Sequence, residues 1–285
     1  MKKLILLFLV ALISCNKDDF GKEIKVDSKI VVEGWIEEGD VAQVILSRSI
    51  PINADIDSTT ILNHIIRSAK VTVSDGENEE VLRLRNNNNH IPPFVYYGTE
   101  IVGKVGKNYA LKVEYLNKRL EAITSIPNSV SISSVNYVKD SPTDTKGYLF
   151  VSFDDPVNGK NFYQIETLLV KHDSLFIPAL YGNFNDDNFA SPKVTVQIFR
   201  GKSFSFEDHS KYKNYYEDGD LIYVKLRTMS KISFDFWNSW QNEIINGQSP
   251  IFPNTTSLKS NIDGGIGIWS GYGQSTMLVK TPPKK

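Results

Sequence analysis

Alternation of apolar and polar side chains runs through most of this chain, and a period of two is the pattern of a half-buried β-strand. The clearest example is the segment NYALKVEY at residues 108–115, in which the apolar side chains share one face and most of the polar ones share the other. The same pattern predicts further strands over residues 29–36, 41–47, 70–74, 81–85, 119–124, 147–153, 161–170, 173–177, 194–200 and 220–229. Polar loops are predicted over 181–192 and 207–219. The chain is therefore predicted to be mostly β.

The spacing of these strands predicts two β-sandwich-like domains. Residues 28–127 are expected to form an N-terminal sandwich of the immunoglobulin-like or transthyretin-like kind, and residues 128–285 a C-terminal β domain. One segment departs from the alternation. After the potential cap Ser230, apolar side chains recur at spacings of three and four through residue 245, which predicts a short amphipathic helix over residues 230–245.

The N-terminus has the features of a secretory signal. A cationic start is followed by the apolar run Leu4–Ile13, which as a helix would rise only about 15 Å, about half of the hydrocarbon core of a bilayer. Such a run fits the apolar region of an export signal. It ends in Leu-Ile-Ser-Cys, which resembles the bacterial lipobox, where a small residue precedes a cysteine that receives lipid. We predict a signal peptide over residues 1–14 and a lipidated N-terminus at Cys15, with a linker to residue 27.

The residues after Cys15 bear on localisation. Asn16–Phe20 combine a lysine with two aspartates and resemble the tag of Bacteroidota lipoproteins that are exported to the outer face of the outer membrane. The prediction is a lipid-anchored outer-membrane protein that faces the cell exterior, with a plain solvated linker as the alternative. The formal net charge of −1, from 32 basic and 33 acidic side chains, argues against a dedicated nucleic-acid-binding protein.

Five segments together resemble a known family. They are VVEGWI at 31–36, VILSRS at 44–49, SAKVTVSDG at 68–76, VGKNYALKV at 105–113 and SNIDGGIGIWSGY at 260–272. This combination is similar to the Bacteroidota lipoproteins grouped as domain of unknown function 4249. The resemblance implies a two-part β lipoprotein of a kind often encoded beside TonB-dependent outer-membrane transporters. It implies no catalytic or ligand-binding residues, because none is established for that family.

No catalytic or cofactor motif accompanies these strands. The sequence lacks a Gly-x-Ser-x-Gly elbow, a His-Glu-x-x-His pair and a phosphate-binding loop, and its histidines are scattered, so no metal or cofactor is predicted. The glycines between 264 and 273 are interpreted as a final strand whose backbone approaches another chain segment closely. The alternative is a ligand loop that forms a cleft with helix aromatics. The candidate ligand or partner surface comprises Trp237, Trp240, Trp269 and Tyr272.

Two serines fit a short modification motif. Asp57-Ser58-Thr59 and Asp173-Ser174-Leu175 resemble the tripeptide at which Bacteroidota O-glycosylate exported proteins, so Ser58 and Ser174 are candidate acceptors.

These observations favour a non-catalytic accessory or ligand-binding partner of a TonB-dependent transporter in nutrient uptake. An adhesion or structural surface module is the first alternative, and a surface hydrolase with a site assembled from distant loops is the second.

Overall fold

The computed structural model describes residues 28–50, 62–90, 93–157, 159–202, 213–246 and 258–284. The predicted signal peptide, Cys15, the linker to residue 27 and Ser58 lie outside these ranges. Within them the chain is mostly β, as predicted, and the predicted C-terminal helix is present as α1 (Lys231–Asn246). No helix in the described ranges is long and apolar enough to cross a membrane.

The strands in the first half are β1 (Ile30–Glu37), β2 (Val41–Arg48), β3 (Lys70–Ser74), β4 (Glu79–Val81), β5 (Arg83–Asn86), β6 (Phe94–Val102), β7 (Asn108–Tyr115) and β8 (Lys118–Ser125). The strands in the second half are β9 (Ile132–Val138), β10 (Lys146–Asp154), β11 (Phe162–Leu169), β12 (Ile177–Asn185), β13 (Lys193–Ile198), β14 (Tyr216–Glu217), β15 (Leu221–Met229) and β16 (Ile266–Lys280). A 3-10 turn, Asp186–Asn188, follows β12.

Eight strands form one sheet in the order β12-β11-β15-β16-β1-β2-β6-β5. The long strand β16 lies at its centre. Its first half pairs in parallel with β1, from Val31 opposite Ile266 to Glu37 opposite Tyr272. Its second half pairs antiparallel with β15, from Met229 opposite Tyr272 to Leu221 opposite Lys280. A single strand near the C-terminus therefore joins strands from both halves of the chain.

Two smaller sheets cover one face of this large sheet. The sheet β4-β3-β7-β8 encloses a first core with residues from β1, β2 and β6, and the sheet formed by β9, β10, β13 and β14 encloses a second core with β11 and β15. Trp269 packs in the first core, and Met277 and Val279 pack against the second. These three positions on β16 are an even number of residues apart, so both cores lie on the same face. Helix α1 contacts the opposite face.

The two cores meet near residue 127, where the chain passes from one to the other. Since β16 contributes to both, the predicted division into domains at this residue stays a prediction.

The segment 125–129, which connects the two cores, crosses directly over two glycines of β16. A Cβ at Gly271 would lie 2.4 Å from the carbonyl oxygen of Ser125, and one at Gly273 would lie 2.6 Å from that of Pro127. Hydrogen bonds hold the crossing in place, since Thr124 Oγ1 accepts from the Gly271 amide at 2.8 Å. This geometry agrees with the interpretation of the glycine-rich segment as a strand that is approached closely by another backbone.

Several sequence predictions need correction. Residues 173–176 are irregular with a bend at 174–175 rather than a strand, because the Asp173 carboxylate accepts from the Leu169 amide at 2.8 Å and pairs with Arg200 at 3.0 Å, which redirects the chain. The predicted strand 81–85 is divided between β4 and β5, which belong to different sheets. The predicted loop 181–192 begins instead with the last residues of β12, and the predicted loop 207–219 contains the short strand β14.

Irregular pairing explains why β6 and β12 escaped the alternation pattern. In β6 the backbone bulges around the buried Glu80 carboxylate, which accepts from the amides of Thr99 at 3.0 Å and Glu100 at 2.9 Å. In β12 the pairing with β11 shifts its register between Gln164 and Glu166, and the exposed Tyr181 adopts a φ of 58°. A bulge interrupts the period of two on which strand prediction depends.

Replacement of Gly271 by alanine should destabilise the protein by about 2 kcal/mol or more, because backbone atoms on both sides of the crossing would have to move apart. The free energy of unfolding in urea measures this effect. Lys280→Ala, at the exposed end of the same strand, is the control and should change stability by less than about 0.5 kcal/mol. Equal stability of the two variants would show that the crossing is looser than described.

Candidate functional site

Four charged side chains meet on the face of the large sheet that α1 contacts. Strand alternation directs Glu37 of β1, Glu166 of β11, and Lys225 and Arg227 of β15 to this face. Their side chains are only 5 to 11% exposed. We call this set the charged network. Because each charge loses most of its hydration there, each must be compensated by the others.

Arg227 is the centre of the charged network. Its Nε donates to Glu37 Oε1 at 2.7 Å, and its two terminal nitrogens form ion pairs with Glu37 and Glu166. The guanidinium carbon also lies 4.5 Å from the centre of the Tyr272 ring. One guanidinium group therefore bridges two carboxylates that are distant in sequence.

Lys225 completes the charged network. Its Nζ donates to Glu37 Oε2 at 2.8 Å and lies 4.2 Å from the centre of the Phe176 ring. The Glu37 carboxylate thus receives hydrogen bonds on both oxygens, from a lysine and an arginine.

The two carboxyl groups differ in their tendency to ionise. Burial opposes ionisation of Glu37, but the charges of Arg227 and Lys225 outweigh it and lower the pKa of Glu37 to about 2. For Glu166, burial is the larger effect, and together with the negative charge of Glu37 it raises the pKa despite the neighbouring cations. Glu37 is thus held ionised, whereas Glu166 is harder to ionise than an ordinary glutamate even though it is paired with Arg227.

The environment of Glu166 is consistent with this difference. Its Oε2 is buried and has no hydrogen-bond partner within the described part of the chain. A protonated carboxyl tolerates such a position at a lower cost than a carboxylate. The same burial contributes to the raised pKa of Tyr272, about 12, on the other side of Arg227.

An open groove lies beside the charged network, where β1 ends and β16 continues without it. The groove is shallow and open to solvent, with a volume of about 500 Å³. Glu37 and Lys225 reach it from the charged network, while Phe176 and Tyr223 supply aromatic walls. The remaining lining residues are Glu38, Gly39, Asp40, Leu168, Gln274 and Thr276. Aromatic rings beside carboxylates and an amide suit a small ligand that has both apolar and hydrogen-bonding surface.

Helix α1 packs next to the charged network and fixes Tyr272. Trp237 Nε1 donates to the Tyr272 hydroxyl at 2.7 Å, and the hydroxyl of Ser270 donates to that of Ser233 at 2.9 Å. Phe234 packs on Phe162 of β11 with ring centres 5.1 Å apart. The helix is therefore part of the structure that holds the charged network in place.

The aromatic residues predicted to form a surface are separated by the fold. Trp237 and Tyr272 are in contact, and Trp240 packs edge-on against Trp237 with ring centres 5.5 Å apart. The prediction of a surface position is wrong for Trp269. This residue is fully buried in the first core, where its indole nitrogen donates to the Tyr109 carbonyl at 2.9 Å. Tyr272 is also buried and does not reach the surface. Alternation along β16 places Trp269 and Tyr272 on opposite faces of the sheet.

Ser174 lies in an exposed bend, and its O-glycosylation stays a prediction. No group of three or more histidine, cysteine, aspartate or glutamate side chains is placed to hold a metal ion in the described ranges.

Sequence reasoning missed the charged network. In β15 the alternation of Lys225 and Arg227 with apolar neighbours indicates a solvent-exposed face, and Glu37 falls just after the predicted strand 29–36. The available signal was weak. Lys225 and Arg227 lie two positions apart in an otherwise apolar strand and so share one face of the sheet. If that face were covered by another element, the two cations would need acidic partners, but the sequence does not show that α1 packs on this face.

The fold and site define a mostly β protein with a buried charged network beside a helix, and comparison with known proteins gives its family. The chain belongs to the family described as domain of unknown function (DUF4249), which matches residues 17–277. Among curated proteins, none matches the sequence. One solved structure, a two fibronectin type-III domain segment from chicken tenascin, has 10% identity, with coverage of 90% of this chain and 100% of that one. Its TM-score of 0.21 is too low to support any argument about this fold.

The charged network predicts opposite effects for two conservative variants. Glu37→Gln should cost roughly 2 to 4 kcal/mol of stability at pH 7, because it leaves Arg227 and Lys225 uncompensated. Folding lowers the pKa of Glu37 from 4.5 to about 2. The stabilisation that ionised Glu37 provides is therefore complete above pH 4.5 and is lost as the pH falls towards 2. The difference between wild type and variant should therefore shrink over this interval.

Folding raises the pKa of Glu166, so ionisation of this carboxyl group lowers the stability of the folded protein once the pH exceeds the ordinary pKa of a glutamate. Glu166→Gln removes the ionisable group and should therefore leave stability at pH 7 unchanged or increase it. Urea unfolding of both variants from pH 2 to pH 8 measures the two effects. A larger loss for Glu166→Gln than for Glu37→Gln at pH 7 would contradict the assignment of charges.

Proposed function

We propose that this protein is a lipoprotein of the outer membrane, anchored through Cys15 and facing the cell exterior, that binds a ligand as a non-catalytic accessory of a TonB-dependent transporter in nutrient uptake. The observation that carries the proposal is the groove beside the charged network. The lipobox-like segment at Cys15 and the family resemblance support the location.

The position of the groove fits this role. The described chain enters the sheet at Ile30, the end of β1 closer in sequence to Cys15, whereas Glu37 and the groove lie at the other end of that strand. A strand of this length spans roughly 23 Å between these residues. The chain therefore enters the sheet from the Cys15 side at the end of β1 that lies opposite the groove.

The composition of the groove favours binding over hydrolysis. A general acid would need a carboxyl group of raised pKa at the groove surface. Glu166 has a raised pKa but does not line the groove, whereas Glu37 lines it and has a pKa of about 2. Hydrogen-bonding groups beside aromatic walls are in contrast sufficient for binding.

A flat aromatic patch would favour adhesion instead. The exposed aromatic side chains in the described ranges are Tyr181 and Tyr223, and of these only Tyr223 lines the groove. This distribution supports ligand binding over an adhesive surface.

Replacement of Cys15 by serine should release the protein from the membrane, because it removes the thiol that would carry the lipid. Cell fractionation and incorporation of a labelled fatty acid measure the effect in the wild type and the variant. Retention of Cys15→Ser in the outer-membrane fraction, with no label in the wild type, would remove the anchor from the proposal.

Affinity purification of the tagged, lipidated protein from its native outer membrane tests the partner. We expect a TonB-dependent transporter in stoichiometric amounts, together with a small molecule that mass spectrometry detects after the protein is denatured. Tyr223→Ala should reduce recovery of that molecule, whereas Val138→Ala, an exposed residue of β9, should not. Recovery of the lipoprotein alone, without ligand or transporter, would favour a free-standing adhesin.

A further inference from the structure

One end of the N-terminal half gathers the ends of several strands. Strand β1 begins there opposite Arg48, where β2 ends. The β7–β8 turn lies at the same end, because a Cβ at Gly264 would be 2.5 Å from the carbonyl oxygen of Arg119 and one at Gly265 would be 2.9 Å from that of Ile30. Ser28, the first described residue, is also at this end, which we call the basic end.

Basic side chains dominate the basic end. They are Lys29, Arg48, Arg67, Lys70, Arg85, Lys118 and Arg119, all of them exposed. The acidic side chains described at this end are Glu114, Glu121 and Asp263. The opposite end of the same half has the reverse balance. Its acidic side chains Glu38, Asp40, Asp75, Glu77, Glu79 and Glu100 accompany Lys104 and Lys107. Charge is therefore segregated along the strand direction.

An apolar side chain projects from the centre of the basic end. Leu116 is 85% exposed, the highest value of any large hydrophobic side chain described, and occupies the tip of the β7–β8 turn with a φ of 53°. Asn117 completes the turn, and Lys118 begins β8. Exposure of an apolar leucine to water is unfavourable. A leucine surrounded by lysines and arginines instead suits the surface of a lipid bilayer, where charged headgroups lie above an apolar acyl region.

The turn is held firmly against the large sheet. Arg48 of β2 donates to the hydroxyl of Tyr115 at 2.6 Å, and its guanidinium carbon lies 5.7 Å from the centre of that ring. Tyr115 is the last residue of β7, so this contact fixes the residue next to Leu116. The apolar tip is thus presented in a defined orientation.

We propose that the basic end lies on the membrane surface, where its lysines and arginines bind phosphate-bearing lipid headgroups and Leu116 enters the upper acyl region. The proposal deepens the proposed function and rests on its lipid anchor, since Ser28 follows Cys15 by thirteen positions in the sequence. Each cation near an anionic surface contributes modestly, and a set of them orients a protein that its acyl chains already hold. The groove then faces away from the membrane.

Binding to lipid vesicles by the mature chain with Cys15→Ser tests the proposal without the acyl chains. Vesicles of phosphatidylcholine with about one third phosphatidylglycerol should bind the protein at low salt, and pure phosphatidylcholine should not. Binding should fall steeply as salt is added, because the charges are exposed. Lys118→Glu/Arg119→Glu should weaken binding more than tenfold, since each reversal changes the local charge by two.

The matched control reverses two lysines at the opposite end, the exposed Lys104 and the half-buried Lys107, which pairs with Glu77 as Arg119 pairs with Glu121. Lys104→Glu/Lys107→Glu makes the same change in net charge, and it should leave vesicle binding within twofold of the starting protein. Urea unfolding of both double variants verifies that each is folded. An equal loss of binding in the two double variants would overturn the assignment of the basic end.

The single cysteine of the chain gives a second, site-specific readout. With Cys15 replaced by serine, Leu116→Cys places a unique thiol at the tip for an environment-sensitive dye. Its emission should shift to the blue when anionic vesicles are added. A dye at Ile123→Cys, 70% exposed on the flank of β8, should not shift. Equal shifts at both sites, or no vesicle binding at all, would overturn the membrane contact. Neither result would affect the ligand role, which the purification experiment tests separately.

Discussion

The crossing of residues 125–129 over β16 is the contact on which the remaining architecture depends. Gly271 and Gly273 admit the connecting backbone because they have no Cβ. The Gly271 amide donates to Thr124 Oγ1 and the Thr228 hydroxyl donates to the Asn128 carbonyl, and these two hydrogen bonds secure the crossing. At the same point β16 leaves β1 and begins to pair with β15. The two cores thus share a strand and a crossing. A larger residue at either glycine would separate the layers that both cores need.

A single sheet with both small sheets on one face leaves the other face to be covered differently. Helix α1 covers part of it through Phe234 and Trp237, and the charged network occupies the neighbouring part. Buried ions are costly unless each is paired, and Arg227 meets this requirement by bridging Glu37 and Glu166 from two distant strands. The charged network therefore links β1 to β11 and β15 on the face opposite the cores. It also supplies one wall of the groove.

The two ends of the N-terminal half have different chemistry. Basic side chains and Leu116 cluster where the chain enters β1, whereas acidic side chains and the groove lie where β1 ends. The proposed lipid anchor before the first strand, the proposed contact of the basic end with headgroups and the groove at the other end of β1 are mutually consistent. In a transporter accessory, such an arrangement would present a ligand on the side that is free of the membrane.

The sequence by itself determined the local structure of this protein. Alternation predicted β1, β2, β7, β8 and β15 closely, and spacings of three and four predicted α1, because these patterns depend on neighbours along the chain. The irregular strands β6 and β12 escaped prediction, since a buried Glu80 and a shifted register interrupt their periods. Only the tertiary structure decided that Trp269 is buried, that Glu37 reaches Arg227, and that β16 joins β1. Such contacts connect residues far apart in the chain, and their energies depend on which layers cover them, which local patterns do not specify.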